Sequence, residues 1–137
     1  MRSAVVTLLL LWASAAVSLE RGEWVKVSGG SWRPDAAALS AAKTRIHDRW
    51  LEYWHGDSDG FSWDRYSFQY QGVTSASGQR VVHVNAFCAD AETFNAHATF
   101  DYAHQWLRAF GGGPCFFRAD FDPSTNSVTN FQVNANK

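Results

Sequence analysis

Polar and apolar side chains alternate along two segments in the second half of the chain, and one of the polar residues is a histidine. In Tyr66–Gln71 the aromatic residues occupy every second position, and Val81–Cys88 alternates in the same way. Because successive side chains of a strand point to opposite faces of a sheet, each segment predicts a strand with one polar side. By the same alternation along two later segments, one polar face is expected to carry Ser67, Gln69, Gln71, His83, Asn85, Arg118, Asp120, Gln132 and Asn134.

This polar face offers many hydrogen-bond donors and acceptors, and His83 is its only imidazole. Such a surface can bind a protein, a peptide or a glycan, although an ordinary solvated face of an antiparallel sheet has the same composition. Catalysis by His83 would need Asp120 or Arg118 within hydrogen-bond reach, and the sequence leaves the strand order open. We therefore predict a non-catalytic binding or inhibitor-type module; the alternative is a small hydrolase or isomerase with His83 in a cone-shaped α+β pocket.

Other chemical motifs in the chain are incomplete. The run His55-Gly-Asp57-Ser-Asp59-Gly60 resembles a calcium loop, but His55 and Tyr66 stand where the first and last carboxylates belong. His97 and His104 do not form the close pair that is typical of zinc sites. A nucleophile elbow, a phosphate loop and a dinucleotide fingerprint are all missing. We predict no metal, no cofactor and no catalytic residue.

The N-terminus has the pattern of an export signal. Arg2 precedes the uncharged run Ala4–Val17, and Ala16-Val17-Ser18 fits the small-x-small rule for cleavage. The run is too short to cross roughly 30 Å of hydrocarbon, and no cysteine stands at the cleavage point for lipid attachment. We expect removal of residues 1–18 and a secreted or periplasmic protein without a stable membrane anchor.

Cys88 and Cys115 are the two cysteines of the chain. An even number of cysteines in an exported chain favours a disulfide, which would stabilise the fold by roughly 3–4 kcal/mol. Two buried free thiols and a metal-binding pair remain as alternatives, although widely separated cysteines are a weak metal signature.

The composition fits one small globular domain with an aromatic core. The chain has 137 residues, of which 46% are hydrophobic, 15% aromatic and 18% charged, and the net charge is −1. Because no basic stripe accompanies this balanced charge, nucleic acid is not an expected partner. Four tryptophans could form a stacking platform for carbohydrate, but completing the core is the commoner role: Trp24, Trp32, Trp54 and Trp63.

One long helix is predicted ahead of the strands, after a lead-in over residues 19–33 in which Trp24–Val27 can form a short edge strand. Pro34 and Asp35 suit the first turn, and Gly56 is expected to end the helix. Residues at steps of three and four form one apolar stripe: Leu39, Ala42, Ile46, Trp50, Tyr53 and Trp54.

The strands are expected to follow as hairpins. Tyr66–Gln71 and Val81–Cys88 predict the first hairpin, while residues 89–103 have no clear pattern. Trp106–Phe110 and Cys115–Phe121 flank a glycine run and predict a second hairpin, with a helix capped by Gly111 as the alternative.

The Asp-Pro turn after Cys115–Phe121 leads into the last predicted strand, Val128–Val133. Residues 34–137 are therefore predicted to form a single α+β domain: one long helix packed on a curved antiparallel sheet of four to five strands.

Short blocks also occur in a characteristic order along residues 32–135: Trp32-Arg33-Pro34, Tyr66 to Gly72, Val84 to Cys88, Gly112 to Phe117, Asp122-Pro123 and Asn134-Ala135. In this order they resemble a family of small bacterial exported proteins and lipoproteins of unknown function. The resemblance implies export, a disulfide between Cys88 and Cys115, and a strand before Gly111, but no known activity. This chain lacks the lipobox cysteine. The order of helix and strands is also similar to cystatin-type folds, although the inhibitors' Gln-x-Val-x-Gly loop is not matched.

Overall fold

A computed structural model describes residues 19–54, 62–88 and 100–135, in which one helix packs against a five-stranded mixed sheet. The predicted α+β class is confirmed. No helix among these residues is long and apolar enough to cross a membrane. The elements are β1 (Trp24–Lys26), α1 (Ala36–Trp54), β2 (Tyr66–Thr74), β3 (Arg80–Cys88), β4 (Phe116–Asp122) and β5 (Ser127–Val133), with 3₁₀ turns at Trp63–Arg65 and Gly113–Cys115.

The strands lie side by side in chain order, and β2 to β5 form an antiparallel meander. The first predicted hairpin is confirmed, with Tyr66 opposite Cys88 and Thr74 opposite Arg80. β1, however, runs parallel to β2, so the sheet is mixed rather than antiparallel as predicted. The reason is that α1 lies between these two strands in the chain, and such a crossover brings the chain back in its original direction.

The helix begins at Ala36 rather than at Pro34, because Asp35 serves as its N-cap. The Asp35 Oδ1 atom accepts from the Ala38 N–H at 2.7 Å, and the Asp35 carbonyl accepts from the Leu39 N–H at 3.0 Å. Ala42, Ile46 and Trp50 are fully buried and form the stripe that faces the sheet. The predicted end of the helix at Gly56 lies outside the described residues.

Aromatic side chains fill the space between α1 and the sheet. Trp50 packs edge-to-face on Tyr66 with ring centroids 6.2 Å apart, and its Nε1–H donates to the Tyr66 hydroxyl at 3.2 Å. The four tryptophans of the proposed carbohydrate platform are partly buried against this core, which favours the packing role. The buried cluster comprises Ala42, Ile46, Trp50, Tyr66, Phe68, Val82, Val84, Ala86, Cys88, Phe117, Ala119 and Phe121.

Residues 100–112, here called the strap, contain neither a strand nor an α-helix. The predicted second hairpin is therefore wrong, as are the helix capped by Gly111 and the strand before Gly111 that the resemblance implied. The physical reason is that β3 pairs directly with β4, with Phe87 opposite Phe116, so no edge is left there for residues 106–110. The strap instead crosses the sheet on the face opposite α1.

The expected disulfide between Cys88 and Cys115 is confirmed, with the two Cα atoms 4.9 Å apart. It joins the end of β3 to the 3₁₀ turn that precedes β4. The covalent loop that it closes contains the whole strap.

Candidate functional site

Side-chain amides of β2 and β3 hold the strap on the polar face of the sheet. Gln69 of β2 is 0% exposed, and its Nε2 donates to the carbonyls of Tyr102 and Gln105 at 2.8 and 2.6 Å. Its Oε1 accepts from the Leu107 N–H at 2.8 Å. Asn85 of β3 donates to the Leu107 carbonyl at 2.8 Å and to the Gln69 Oε1 at 3.2 Å. The backbone groups of an irregular segment have no neighbouring strand to pair with. Side-chain amides can pair with them because an amide supplies both N–H donors and a carbonyl acceptor.

The expectation of one broad, open polar face is corrected by these contacts. Gln69 is buried beneath the strap and is closed to any partner. Asn134 donates to the strap carbonyls of Ala109 and Gly111 at 3.0 and 2.9 Å, and Gln71 donates to the Ser28 carbonyl at 2.8 Å. Much of the polar pattern in β2 and β3 therefore serves the fold.

An open cleft of about 440 Å³ remains between the strap and the sheet, and we call it the strap cleft. Its volume lies in the range of roughly 300–1,000 Å³ that is typical of small-molecule sites. Some predicted residues of the polar face form one side, and strap residues that sequence reasoning missed form the other. The lining residues are Gln71, His83, Asn85, Trp106, Leu107, Arg108, Ala109, Phe110, Phe116, Phe117, Arg118 and Asn134.

His83 and Asp120 are directly opposite each other on β3 and β4, and their side chains are in contact. The His83 Nδ1 atom lies 2.6 Å from the Asp120 Oδ1 atom, and the side chains are 34% and 17% exposed. Asn130 donates to the second carboxylate oxygen at 2.9 Å. The edge of Trp106 packs on the imidazole with ring centroids 5.2 Å apart. The imidazole is thus oriented by a carboxylate and an indole.

Asp120 carries its negative charge at neutral pH. Burial acts to raise the pKa of Asp120, but the hydrogen bonds from His83 and Asn130 and the charges of His83 and Arg118 together outweigh it, so the pKa lies below its usual value. An ionised carboxylate accepts a hydrogen bond from the His83 Nδ1–H group. In the neutral imidazole this leaves Nε2 as the acceptor for a ligand in the strap cleft.

Arg118 lies on β4 opposite Asn85, and Gln132 of β5 fixes its orientation. The Gln132 Oε1 atom accepts from the Arg118 Nε–H at 3.0 Å and from Nη2–H at 2.6 Å. A guanidinium has five N–H groups, so the remaining ones can reach a ligand. Gln132 and Asp120 therefore act behind Arg118 and His83 rather than in the cleft lining itself.

The strap residues of the lining were missed because they follow no periodic pattern. Among them, Phe110 carries the clearest sequence signal, since a large apolar residue directly before three glycines is unusual. In the structure Phe110 is 99% exposed. Trp106 and Arg108 carry no comparable sequence signal.

Within residues 19–54, 62–88 and 100–135, no three His, Cys, Asp or Glu side chains form a group that could hold a metal ion. His104 contacts Asp101 at 2.8 Å on the exposed outer side of the strap. The calcium-like run at residues 55–60 and His97 lie outside the described residues.

Family models, curated proteins and solved structures were compared with this chain, and none matches it. Because a fold class alone does not define an activity, function has to be argued from the strap cleft and its side chains.

Proposed function

We propose that this chain is an exported, non-catalytic binding module that takes a small ligand into the strap cleft. The observation that carries the proposal is the anchoring of the cleft wall. Gln69, Asn85 and Asn134 hold the strap by hydrogen bonds from the sheet side. A cleft wall that is fixed by hydrogen bonds within the protein has less freedom to lose on binding, which lowers the entropic cost of taking up a ligand.

Export is supported by two independent features of the chain. The N-terminal pattern of Arg2, Ala4–Val17 and Ser18 is that of a cleavable signal, and the disulfide between Cys88 and Cys115 is typical of oxidising compartments. We therefore place the protein outside the cytoplasm, in the secreted or periplasmic fraction.

Ligand-observed NMR on the oxidised protein tests the binding proposal against a panel of sugars, amino acids and organic acids. Ala109→Trp should block the cleft and abolish binding, because Ala109 is part of the lining. Ala37→Trp is the matched control, since Ala37 lies exposed on α1 and should leave binding intact. Ligands that bind Ala109→Trp as tightly as the unaltered protein would refute the strap cleft as the site.

The contact between His83 and Asp120 favours a second candidate function, ester or amide hydrolysis. A histidine that is oriented by a carboxylate is a common general base, and Arg118 can stabilise negative charge in a transition state. Water would be the nucleophile, since the part of the lining that the structure describes contains no Ser, Thr or Cys. The His83 Nε2 atom would take a proton as the water oxygen attacks the carbonyl carbon, and would then deliver it to the leaving group.

Turnover of chromogenic esters distinguishes this candidate from binding alone. A hydrolase should lose its turnover in His83→Ala and keep a reduced kcat in Asp120→Asn. Equal rates in both variants and in the unaltered protein would remove the hydrolase and leave the binding module.

A further inference from the structure

The strap cleft has a cationic lining. Among the described residues, the charged side chains of the lining are Arg108 and Arg118, and the Asp120 carboxylate lies behind His83 and outside the lining. The chain as a whole is balanced, with Lys+Arg 12 and Asp+Glu 13. The positive lining is therefore a local feature rather than a reflection of overall charge, and clefts of one sign attract ligands of the opposite sign.

Gln132 fixes the orientation of Arg118 in the lining. Gln132 holds the Nε and Nη2 groups of the guanidinium, so its plane is fixed and the other N–H groups remain for the ligand. Planar guanidinium groups bind oxyanions through paired, charge-assisted hydrogen bonds.

An aromatic side completes the strap cleft. Trp106, Phe110 and Phe116 belong to the lining, and Phe110 is 99% exposed. The glycines that follow Phe110 have positive φ angles, including +84° at Gly111 and +80° at Gly112, which other residues rarely adopt. Phe110 is thus a large, exposed apolar residue in the same lining as Arg108 and Arg118. An apolar group on the ligand would cover it.

From this combination we infer that the ligand of the strap cleft is a small organic anion. Its oxyanion binds at Arg118, and its apolar body packs on Trp106 and Phe110. The inference rests on the proposed binding function and names the ligand class. Carboxylates and phosphates share the oxyanion chemistry, so the test includes both.

Isothermal titration with four probes tests the inference: phenylacetate, phenyl phosphate, phenylacetamide and inorganic phosphate. One or both aromatic anions should bind, and the neutral amide should bind at least roughly tenfold more weakly, because a charged hydrogen bond is lost. The stronger of the two anions identifies the headgroup. Inorganic phosphate should bind more weakly than phenyl phosphate, because it lacks the apolar body.

Two variants assign the parts of the ligand to side chains. Arg118→Met should weaken the aromatic anion roughly 10- to 150-fold, whereas Arg33→Met, which removes the same charge at an exposed position outside the cleft, should not. Phe110→Ser should weaken the aromatic anions and leave inorganic phosphate unchanged. Urea unfolding of each variant establishes that the fold is intact.

The outcomes separate the inference from the function on which it rests. Equal binding of phenylacetate and phenylacetamide, or unchanged binding by Arg118→Met, would overturn the anionic ligand class while cleft binding stands. If phenyl phosphate and inorganic phosphate bind equally and Phe110→Ser has no effect, the site binds anions without an apolar contact. This outcome would overturn the inferred packing of the ligand on Trp106 and Phe110. If no probe binds and the broad panel also finds no ligand, the binding function itself fails.

Discussion

The two faces of the sheet are covered by two different segments, the helix α1 and the strap, and different interactions attach each of them to the sheet. On one face α1 packs through fully buried apolar side chains such as Ile46 and Trp50. On the other face the strap is held by Gln69 and Asn85, whose amides bind backbone groups of an irregular segment. A smaller apolar contact of Phe87 with Tyr102 and Leu107 supports the strap.

This difference has consequences for robustness and for function. Apolar burial is non-directional and grows with area, so the helix side tolerates small shifts and carries most of the stability. Hydrogen bonds to a buried amide are directional, and each partner that is lost leaves a buried polar group unsatisfied. The strap side is therefore the natural place for a shaped cleft, and it should fail locally before the fold does.

Trp50→Ala should give the largest effect, because it removes the largest buried side chain between α1 and the sheet. The expected loss in the free energy of unfolding is about 3–5 kcal/mol, measured by urea denaturation. Tyr53→Ala on the same helix is the control, since Tyr53 is 45% exposed, and it should cost far less. Equal losses in the two variants would mean that the helix face is not the main source of stability.

Replacing both cysteines, in Cys88→Ala/Cys115→Ala, should come next. The disulfide spans a sequence separation of 27, and removing such a crosslink costs about 3–4 kcal/mol in the chain-entropy model. The strap should also lose order, which amide hydrogen exchange at residues 100–112 measures. The unaltered protein under a reductant should unfold at the same urea midpoint as the double variant. If reduction left the midpoint of the unaltered protein unchanged, the disulfide would not contribute to stability, and the hydrogen bonds and the apolar contact of Phe87 would be enough to secure the strap.

The same contrast explains what could be predicted from the sequence. The stripe of α1 and the alternation in Tyr66–Gln71 are periodic, and periodicity reports which side is buried. A strand of three residues carries no pairing information, so the sequence did not show that β1 pairs with β2; once the two strands pair, the intervening helix α1 sets the parallel direction. Gln69 was assigned to an open surface because the alternation of a strand shows only which face a side chain is on. It does not show whether that face meets water or the backbone of another segment.

The strap illustrates the limit more fully. The strap contributes backbone carbonyl and N–H groups to these hydrogen bonds. Residues of any type carry such groups, so nothing in the sequence of residues 100–112 marks them as the hydrogen-bond partners of Gln69 and Asn85. Five polar residues of the predicted face do line the cleft, because strand alternation places them on one side: Gln71, His83, Asn85, Arg118 and Asn134.

Gln69→Leu tests the strap anchors directly. The leucine is apolar and of similar size, so it should leave the carbonyls of Tyr102 and Gln105 without their present donor and cost roughly 1–3 kcal/mol. The loss should appear as faster hydrogen exchange of the Leu107 amide, with little change in α1. Gln71→Leu is the matched control, since its amide makes one exposed contact with the Ser28 carbonyl. Uniformly faster exchange in α1 and the strap would contradict two separately held faces.

Lowering the pH should give the smallest of the expected effects on stability, and it should act on the strap side of the sheet. The pKa of Asp120 is lowered in the folded protein, so over the acid range the unfolded chain binds the proton more readily. The contribution of Asp120 is therefore complete above its unfolded pKa and is lost as pH falls through the lower folded value. Asp120 contacts His83 of the strap cleft, so this loss belongs to the strap side.

Urea midpoints measured from neutral pH down to about pH 2 should fall less steeply in Asp120→Asn than in the unaltered protein. Asp48→Asn is the control, because it removes the same charge from an exposed position on α1 and should leave the slope in place. The His83 imidazole signals, followed by NMR in the same samples, should shift as Asp120 takes up its proton. If the urea midpoints of Asp120→Asn and of the unaltered protein fall in parallel as the pH is lowered, the ionised carboxylate does not orient His83, and the hydrolase candidate loses its basis.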